Sequence, residues 1–335
     1  MKIFNVKIFK AEPLPRHHYD DCIVELADSL FIKSKVLKPG HYRRMFNEDF
    51  ARPFSLRRTL GDNLIDVMSN DDELMKKLFG IGNTKDSQDL VNKAIIKLVD
   101  EIAQAITWSG NGYYYLHEDV KNEGANLISF SSRGVISLFG KHIQYIPKRK
   151  ERHLDRDGEE RPREVRILDV AKLMHFHMPT SIKRILAKQN KVLATLDQHL
   201  YDVEKFITRA THKNPNPVNH FDFKVSQNTK TLALYRATRR TGWNARDYSL
   251  STRSDFFDCH RLIRFKRNQI LLRDGVLNQL SSELSRVGRG YKTDFLVNIS
   301  GVDKFGGLIA INELERKLEL EEVGFKEIID KCKSI

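Results

Sequence analysis

A junction between a long helix and an aromatic strand constrains this chain more than any other feature of its sequence. Residues 88–108, QDLVNKAIIKLVDEIAQAITW, carry apolar residues at steps of three and four, which predicts one buried face of an amphipathic helix. These residues are Val91, Ile95, Leu98, Ile102 and Ile106. Gly110 and Gly112 follow, and glycine adopts positive φ without steric cost. The chain is therefore predicted to leave the helix there and to return along its packed face as a strand containing Tyr113, Tyr114 and Tyr115.

The remaining periodicity predicts an α+β fold, with long amphipathic helices and short, mostly antiparallel strands. Helices are expected at residues 59–80, 87–108, 181–210 and 254–287, in a short stretch ending at Gly242, and in an acidic terminal stretch at 312–332. Gly275 could split the helix at 254–287 in two. Strands are expected at residues 112–118, in two or three short segments within 126–147, at both ends of 164–178, at 220–226 and at 291–301. We expect three regions: a mostly helical region at 1–86, a helix with a wing-like group of strands and hairpins at 87–179, and a helical region with a terminal strand and acidic helix at 180–335.

Composition excludes several classes of protein. With 335 residues, of which 40% are hydrophobic and 30% charged, the chain is long enough to bury a substantial core. It has no apolar run near the ~18–20 residues of a membrane span, so no membrane partner is expected. Cys22, Cys259 and Cys332 are far apart and lack the spacing of a zinc site or a disulfide framework. We therefore expect a soluble protein of a reducing compartment such as the cytoplasm.

The positive charge of the chain is concentrated in one central segment. Residues 141–270 contain 28 Lys and Arg against 14 Asp and Glu, an excess larger than the net charge of +13 of the whole chain. Such a segment is typical of proteins that contact phosphate, because each neutralised phosphate releases condensed counterions. A solvated basic face and an anionic protein partner are the alternatives. We expect nucleic acid as the partner.

The densest basic stretch, residues 235–269, interleaves cations with aromatic residues and supplies the candidate nucleic-acid-binding residues. They are Arg236, Arg239, Arg240, Arg246, Arg253, Arg261, Arg264, Lys266 and Arg267. The first three share one face of a short helix, and three of the others recur at steps of three along the next helix, so both groups could follow a phosphate backbone. The competing interpretation is solubility together with ion pairs to the acidic terminal helix.

Catalytic motifs are missing from the sequence, which favours a protein that is not an enzyme. It contains no phosphate-binding loop, dinucleotide fingerprint, nucleophile elbow or HExxH pair. His175 and His177 would share one face of a strand, but no third ligand stands at a recognisable spacing, so a metal site is disfavoured. The acidic run 155–160 lacks the ligand pattern of a calcium loop and is interpreted as a polar turn. No cofactor and no metal are expected.

The order of elements over residues 87–287 resembles the central part of tailed-bacteriophage portal proteins. The similarity lies in a long helix, a Gly-Asn-Gly turn into the strand GYYYLHED, short strands around SRGVISLFGKHIQYIP, a charged hairpin and a strand ending in HFHMP. The segment LALYRATRRTGW before a long helix is similar to a later part of the same family. This resemblance implies a structural protein of the virion that forms a homo-oligomeric ring around translocating DNA and catalyses nothing. It therefore favours DNA as the nucleic-acid partner. A DNA- or RNA-binding protein, or a metal-dependent nuclease of a mobile element or defence system, is the alternative.

Overall fold

The computed structural model describes residues 6–14, 25–26, 28, 31–32, 40–52, 54, 64–82, 87–119, 124–138, 140–148, 163–198, 223–246, 254–302 and 307–334. The fold class is α+β, with small, mostly antiparallel sheets among the helices, as the sequence predicts. Arg253, the hairpin expected around residues 149–162 and the predicted helical residues 199–210 lie outside the described ranges.

The helices and strands are numbered here in chain order over the described residues. The helices are α1 His41–Phe50, α2 Asp72–Leu78, α3 Ser87–Ser109, α4 Thr180–Gln198, α5 Phe223–Thr238, α6 Asp255–Gly288, α7 Gly307–Glu319 and α8 Phe325–Ser334. The strands are β1 Val6–Lys10, β2 Ile65–Ser69, β3 Asn111–Asp119, β4 Gly124–Phe130, β5 Val135–Leu138, β6 Lys141–Ile146, β7 Arg163–Leu168, β8 Leu173–His177 and β9 Val297–Gly301.

The chain divides into two compact units that each draw on separate stretches of sequence. The first unit comprises residues 1–36, 65–177 and 276–301, and the second comprises residues 37–64, 178–275 and 302–335. The first unit contains all nine described strands, whereas the second is helical in its described part. Helix α6 contributes to both units, with Gly275 in the second and Val276 in the first.

Three sheets of the described residues build the first unit. Strand β3 is the centre of the sheet β4-β3-β8, and both neighbours run antiparallel to it. A four-stranded sheet has the order β1-β7-β6-β5, in which β1 and β7 are parallel and the other pairs antiparallel. Strands β2 and β9 form a separate antiparallel pair. The hydroxyls of Ser281 and Ser285 in α6 each accept from a backbone N–H of β9 at 2.9 Å.

The helix-to-strand junction has the predicted form, but one of its two glycines makes the turn. Gly110 has φ +81 and donates its N–H to the carbonyl of Ile106 at 2.8 Å, which closes α3 before β3 begins. Gly112 lies within β3, where a Cβ would lie 3.4 Å from Ala105, so glycine at this position allows the strand to pack closely against α3. The apolar stripe of α3 is buried inside this unit. It therefore forms core, as the periodicity of the sequence predicts.

A buried ionic group links the start of the chain to the four-stranded sheet. The carboxylate of Asp28 is fully buried, accepts from the Arg163 guanidinium at 2.9 Å and also accepts from the Tyr145 hydroxyl. Burial alone would raise the pKa of Asp28, but these hydrogen bonds and the charge of Arg163 lower that pKa below its ordinary value of 3.8. The ionised carboxylate is therefore part of the stable fold.

An apolar cluster in the second unit joins the first part of α6 to α7 and α8. Cys259, Ile263 and Ile270 of α6 meet buried residues of α7 and α8 in this cluster. Helix α6 is continuous through Gly275, which therefore does not split it. A Cβ at this position would lie 2.5 Å from the Pro179 ring, so glycine makes room for that ring. Within the described helices, none combines the length and apolarity needed to cross a membrane.

Three predicted elements are wrong in the structure. Residues 59–80 were expected to form one helix, yet their described part contains strand β2 followed by the short helix α2. The alternating segment 220–226 was expected to be a strand, but from Phe223 onward it is the start of α5. The terminal acidic helix is two helices, α7 and α8, separated by a turn in which Glu321 has φ +57.

Candidate nucleic-acid interface and adjoining cavity

A sharp corner after α5 organises the basic stretch of the second unit. The helix ends at Thr238, and Gly242 turns the chain with φ +82 directly against α6. A Cβ at Gly242 would lie 2.1 Å from the carbonyl oxygen of Arg261, so this position accepts glycine alone. Trp243 then enters the core, and its indole N–H donates to Asp49 at 2.8 Å.

Arg261 lies inside this corner. Its side chain is 6% exposed, donates to the Thr238 hydroxyl at 2.8 Å and to the carbonyl of Trp243, and stacks over the Tyr235 ring at 4.7 Å. A guanidinium so placed satisfies the buried acceptors of the corner. Its contacts within the fold leave it no face for phosphate.

Arg246 pairs with carboxylates of α1. Its Nε donates to Asp49 at 2.9 Å, and another nitrogen donates to Glu48 at 3.1 Å. The hydrogen bond to Asp49 is the main reason that the pKa of Arg246 lies above its ordinary value. The same carboxylate accepts from Trp243, so Asp49 joins the corner to α1.

Two more of the candidate arginines belong to an ionic group between α6 and α7. Arg267 pairs with Glu315, and the Nε of Arg264 lies 3.9 Å from the same carboxylate. His260 stands between Glu315 at 3.3 Å and Glu319 at 3.5 Å, and these three residues are the one group in the described part of the chain that brings three possible metal ligands within 4.8 Å. The positive charges of Arg264 and Arg267 disfavour a metal ion beside Glu315. We therefore interpret these side chains as an ion network between α6 and α7.

The three arginines at the end of α5 differ from Arg246, which is also exposed, because they have no ion pair among the described residues. Arg236 lies on the last turn of α5, and Arg239 and Arg240 follow in the turn that leads to Gly242. All three are exposed, and within the described residues none has a side-chain hydrogen bond or ion pair. They keep their donors available to a partner. The turn that contains Arg239 and Arg240 is fixed to α6 by Asn268. The side-chain amide of Asn268 donates to the carbonyls of Arg240 and Thr241.

Next to the corner, the second unit contains a cavity of about 990 Å³. Residues of α1, the corner, α6 and α8 line it, among them Leu262, Phe265 and Ile329. Lys266 also lines it, and burial lowers the pKa of the Lys266 amine. Two buried thiols complete that part of the wall, and burial raises the pKa of Cys259 to about 11 and of Cys332 to about 12. These thiols are protonated and unreactive at neutral pH.

The histidine pair of β8 is part of an aromatic cluster in the first unit. His175 and His177 do share a face, with ring centroids 6.2 Å apart. His175 stacks flat on Tyr113 at 4.4 Å, and its Nε2 lies 3.1 Å from Asn111 Oδ1. His142 stands nearby, with its ring centroid 5.9 Å from that of His175. Stacking and hydrogen bonding hold His175 in this cluster, whereas His177 is exposed.

Sequence reasoning identified the basic stretch and, as the competing interpretation, its ion pairs to the acidic terminal stretch, where Glu315 pairs with Arg267. It missed Asp49, which lies far along the chain from Arg246 and stands in no recognisable motif. The cavity was also missed. The one available signal was Gly242 directly before Trp243, a small residue and a large one at the end of a predicted helix.

No protein-family model and no curated protein matches the chain. Among solved structures it is similar to a chain in the virion of a native gene transfer agent particle, with 12% identity over 90% of this chain and 94% of that chain and a TM-score of 0.39. It is similar to a chain in the neck of an empty gene transfer agent particle computed with C6 symmetry, with 12% identity, coverage of 89% and 90%, and a TM-score of 0.43. It is also similar to an HK97-family phage portal protein from Corynebacterium diphtheriae, with 8% identity, coverage of 84% and 96%, and a TM-score of 0.36. The set includes the class of protein that the sequence resembles, and at these TM-scores the functional proposal rests on the residues of this chain.

Proposed function

We propose that the chain is a structural subunit of a portal-like ring that surrounds DNA. The observation that carries this proposal is the order of elements over residues 87–288. Helix α3 turns at Gly110 into the central strand β3, the strands β4 to β8 follow, and the short helix α5 and the Gly242 corner precede the 34-residue helix α6. This order is the one on which the resemblance to portal proteins depends.

Exposed apolar side chains of the second unit supply candidate surface for contacts between subunits. Ile309 of α7 is 82% exposed, and Leu320 directly after that helix is 55% exposed. Phe257 at the start of α6 is 55% exposed as well. Subunit interfaces are enriched in large apolar and aromatic residues at their centre. A ring requires heterologous contacts of this kind between different faces of neighbouring copies.

Arg236, Arg239 and Arg240 are the residues that we assign to phosphate contact. They are exposed and have no competing carboxylate among the described residues, unlike Arg246 and Arg267, which are paired within the fold. A side chain already paired to a carboxylate loses that interaction if it turns to phosphate, so the exposed three are the better donors. Contact of this type is independent of base sequence, as a ring around moving DNA requires.

The test is a triple substitution, Arg236→Ala, Arg239→Ala and Arg240→Ala, compared with wild type for affinity to two duplexes of unrelated sequence. If all three residues contact phosphate, affinity falls equally for both duplexes and the slope of log affinity against log salt decreases by about 3. The matched control is Arg316→Ala, Lys317→Ala and Lys331→Ala, which removes the same charge from side chains that are paired to glutamates in α7 and α8.

The control should retain most of its affinity, because those cations are engaged within their own helices. Equal loss of affinity in the two triple variants would show that net charge alone drives binding, and would remove the corner from the interface. Wild-type binding that does not weaken between low and moderate salt would contradict phosphate contact altogether.

A further inference from the structure

One exposed face of helix α4 carries four cations and no acidic residue. We call these side chains the α4 row, and they are Lys183, Arg184, Lys188 and Lys191. All four are exposed, and at 3.6 residues per turn they lie within a sector of about 140° around the helix axis. The one acidic residue of α4, Asp197, lies outside this sector. Its carboxylate accepts from the backbone N–H groups of Tyr42 and Arg43 at 2.8 and 3.2 Å, so it is engaged with α1.

The α4 row lowers the stability of its own helix. Arg184 and Lys188 are four residues apart and Lys188 and Lys191 are three apart, so each pair repels by about 0.2–0.5 kcal/mol. Lys183 stands in the first turn, where the positive end of the helix dipole disfavours a cation. Within the described part of the chain, none of the four side chains has an ion pair or a hydrogen bond. Helix formation therefore does not explain this set of charges.

Helices α3 and α8 show the arrangement that a face needed only for solubility would have. Lys97 lies 3.9 Å from Glu101 in α3, and Lys331 lies 2.7 Å from Glu327 in α8. Interspersed charges of both signs, paired one turn apart, are typical of solvated helix faces. The α4 row departs from this arrangement, and all of its donors are available to an anionic partner.

The spacing of the α4 row suits a phosphate backbone. From Lys183 to Lys191 the helix rises about 12 Å, which places one cation at about every 4 Å of its axis. One strand of duplex DNA carries one phosphate at about every 3.4 Å of its axis. A protein surface mixes acidic and basic residues, whereas a nucleic acid carries one sign of charge at an even spacing. The row therefore favours a nucleic-acid backbone over an acidic protein.

The α4 row lies on a helix that contacts the corner with the exposed arginines. The hydroxyl of Thr241 donates to the side chain of Gln189, which is buried and directly follows Lys188 in α4. Arg239 and Arg240 directly precede Thr241, and α4 packs against α5. All of these residues belong to the second unit. The two basic surfaces are thus close enough for one duplex to contact both.

We propose that the α4 row is a second phosphate-contacting surface, which binds the backbone of duplex DNA together with the arginines of the corner. This inference rests on the proposed contact of the chain with DNA and extends that contact from the corner to a helix face. Each phosphate contact contributes about 0.9 to the slope of log affinity against log salt. Four cations added to the three of the corner therefore make the slope about twice as steep as the corner alone would.

The test variant replaces the whole row by alanine, the best helix former, so that α4 is retained. Its substitutions are Lys183→Ala, Arg184→Ala, Lys188→Ala and Lys191→Ala. Fluorescence anisotropy of two labelled duplexes of unrelated sequence, titrated with the purified full-length chain at several salt concentrations, gives affinity and slope. The variant should bind both duplexes at least about tenfold more weakly than wild type, and its slope should decrease by about 4.

The matched control removes the same charge from cations that are paired with glutamates in their own helices. Its substitutions are Lys97→Ala, Arg316→Ala, Lys317→Ala and Lys331→Ala. The control should keep the wild-type slope, because these cations are already engaged.

Acetylation of lysines, followed by mass spectrometry, tests the α4 row in the wild-type chain and needs no variant to fold. Bound duplex should slow the acetylation of Lys183, Lys188 and Lys191 at least about threefold, because a phosphate contact covers each amine. Acetylation of Lys97 should stay unchanged. Poly-glutamate serves as a second probe that carries negative charge without phosphate.

The inference is overturned if the row variant keeps the wild-type slope, if the row and control variants lose equal affinity, or if duplex leaves the three lysines unprotected. Protection by poly-glutamate but not by duplex also overturns it and would assign the row to an acidic protein. In each of these cases, a decreased slope for the triple variant of the corner would still support DNA contact there. Wild-type binding that does not weaken with salt would contradict both proposals.

Discussion

Replacing Gly242 by alanine tests the geometry of the corner that presents the exposed arginines. Alanine at φ +82 costs about 1–2 kcal/mol from the left-handed backbone alone. The new methyl group would also lie 2.1 Å from the Arg261 carbonyl oxygen and 2.6 Å from the Phe265 nitrogen. Both are backbone atoms of α6 and cannot rotate away, so overpacking adds about 1–3 kcal/mol. We expect Gly242→Ala to lower the free energy of unfolding by about 3 kcal/mol.

Gly110 is the matched control, since its φ of +81 is nearly the same and a Cβ there would have no neighbour within 4 Å. Gly110→Ala should therefore cost about 1–2 kcal/mol, the backbone contribution alone. Thermal unfolding followed by circular dichroism, at one protein concentration, gives both values. For a chain of 335 residues, the melting temperature should fall by roughly 4 °C for Gly242→Ala and by about half of that for Gly110→Ala. Equal shifts would refute the close approach of the corner to α6.

Three further predictions concern charged groups within the units. Arg261→Ala should lower the free energy of unfolding by about 3 kcal/mol in chemical denaturation, because it leaves buried acceptors without a donor, and a loss below 1 kcal/mol would contradict its structural role. Asp28→Asn should lower the free energy of unfolding by about 3 kcal/mol at pH 7. The difference in this free energy between variant and wild type should shrink as pH falls below 3.8 and through the lowered pKa of Asp28, because the wild-type carboxylate is then protonated. A difference independent of pH would refute the ionised buried carboxylate. Lys266→Met should raise the free energy of unfolding at pH 7, because burial disfavours the charged amine. This gain over wild type should become smaller as pH rises toward 10.5, where the amine loses its charge in the unfolded chain as well. A variant less stable than wild type would contradict this prediction.

Local signals predicted those parts of the fold that short segments decide. The boundary of α3 and β3 follows from an apolar stripe that ends before Gly110, and the turn forms there. Helix α6 was expected at residues 254–287 and spans Asp255–Gly288, because its apolar residues repeat over many turns. The strands of the wing-like region were also predicted, since each alternates between turn residues.

Distant partners decided the elements that were predicted wrongly. Strand β2 has a sequence that is compatible with a helix, and it becomes a strand by pairing with β9, where Ile65 stands opposite Gly301. The alternation in residues 220–226 is too short to separate a strand from the first turns of a helix. Neither pairing nor packing over such separations is visible in one sequence.

The candidate arginines show the same limit at the level of the site. Arg236 and Arg261 occupy similar basic helical rows in the sequence, yet one is exposed and the other is enclosed by the corner. What separates them is the close approach of Gly242 to α6, together with carboxylates such as Asp49, which is 197 positions away from Arg246. The sequence could indicate a basic region but could not say which cations remain available.

The mass of the purified protein in solution tests the ring most directly. Size-exclusion chromatography with light scattering, at several protein concentrations, compares the particle with the 39.0 kDa of one chain. The portal-like proposal predicts a single species many times that mass and stable to dilution, because a closed ring satisfies every interface. A monomer at all concentrations would contradict it, and a monomer that cleaves nucleic acid when a divalent metal is added would favour the nuclease alternative.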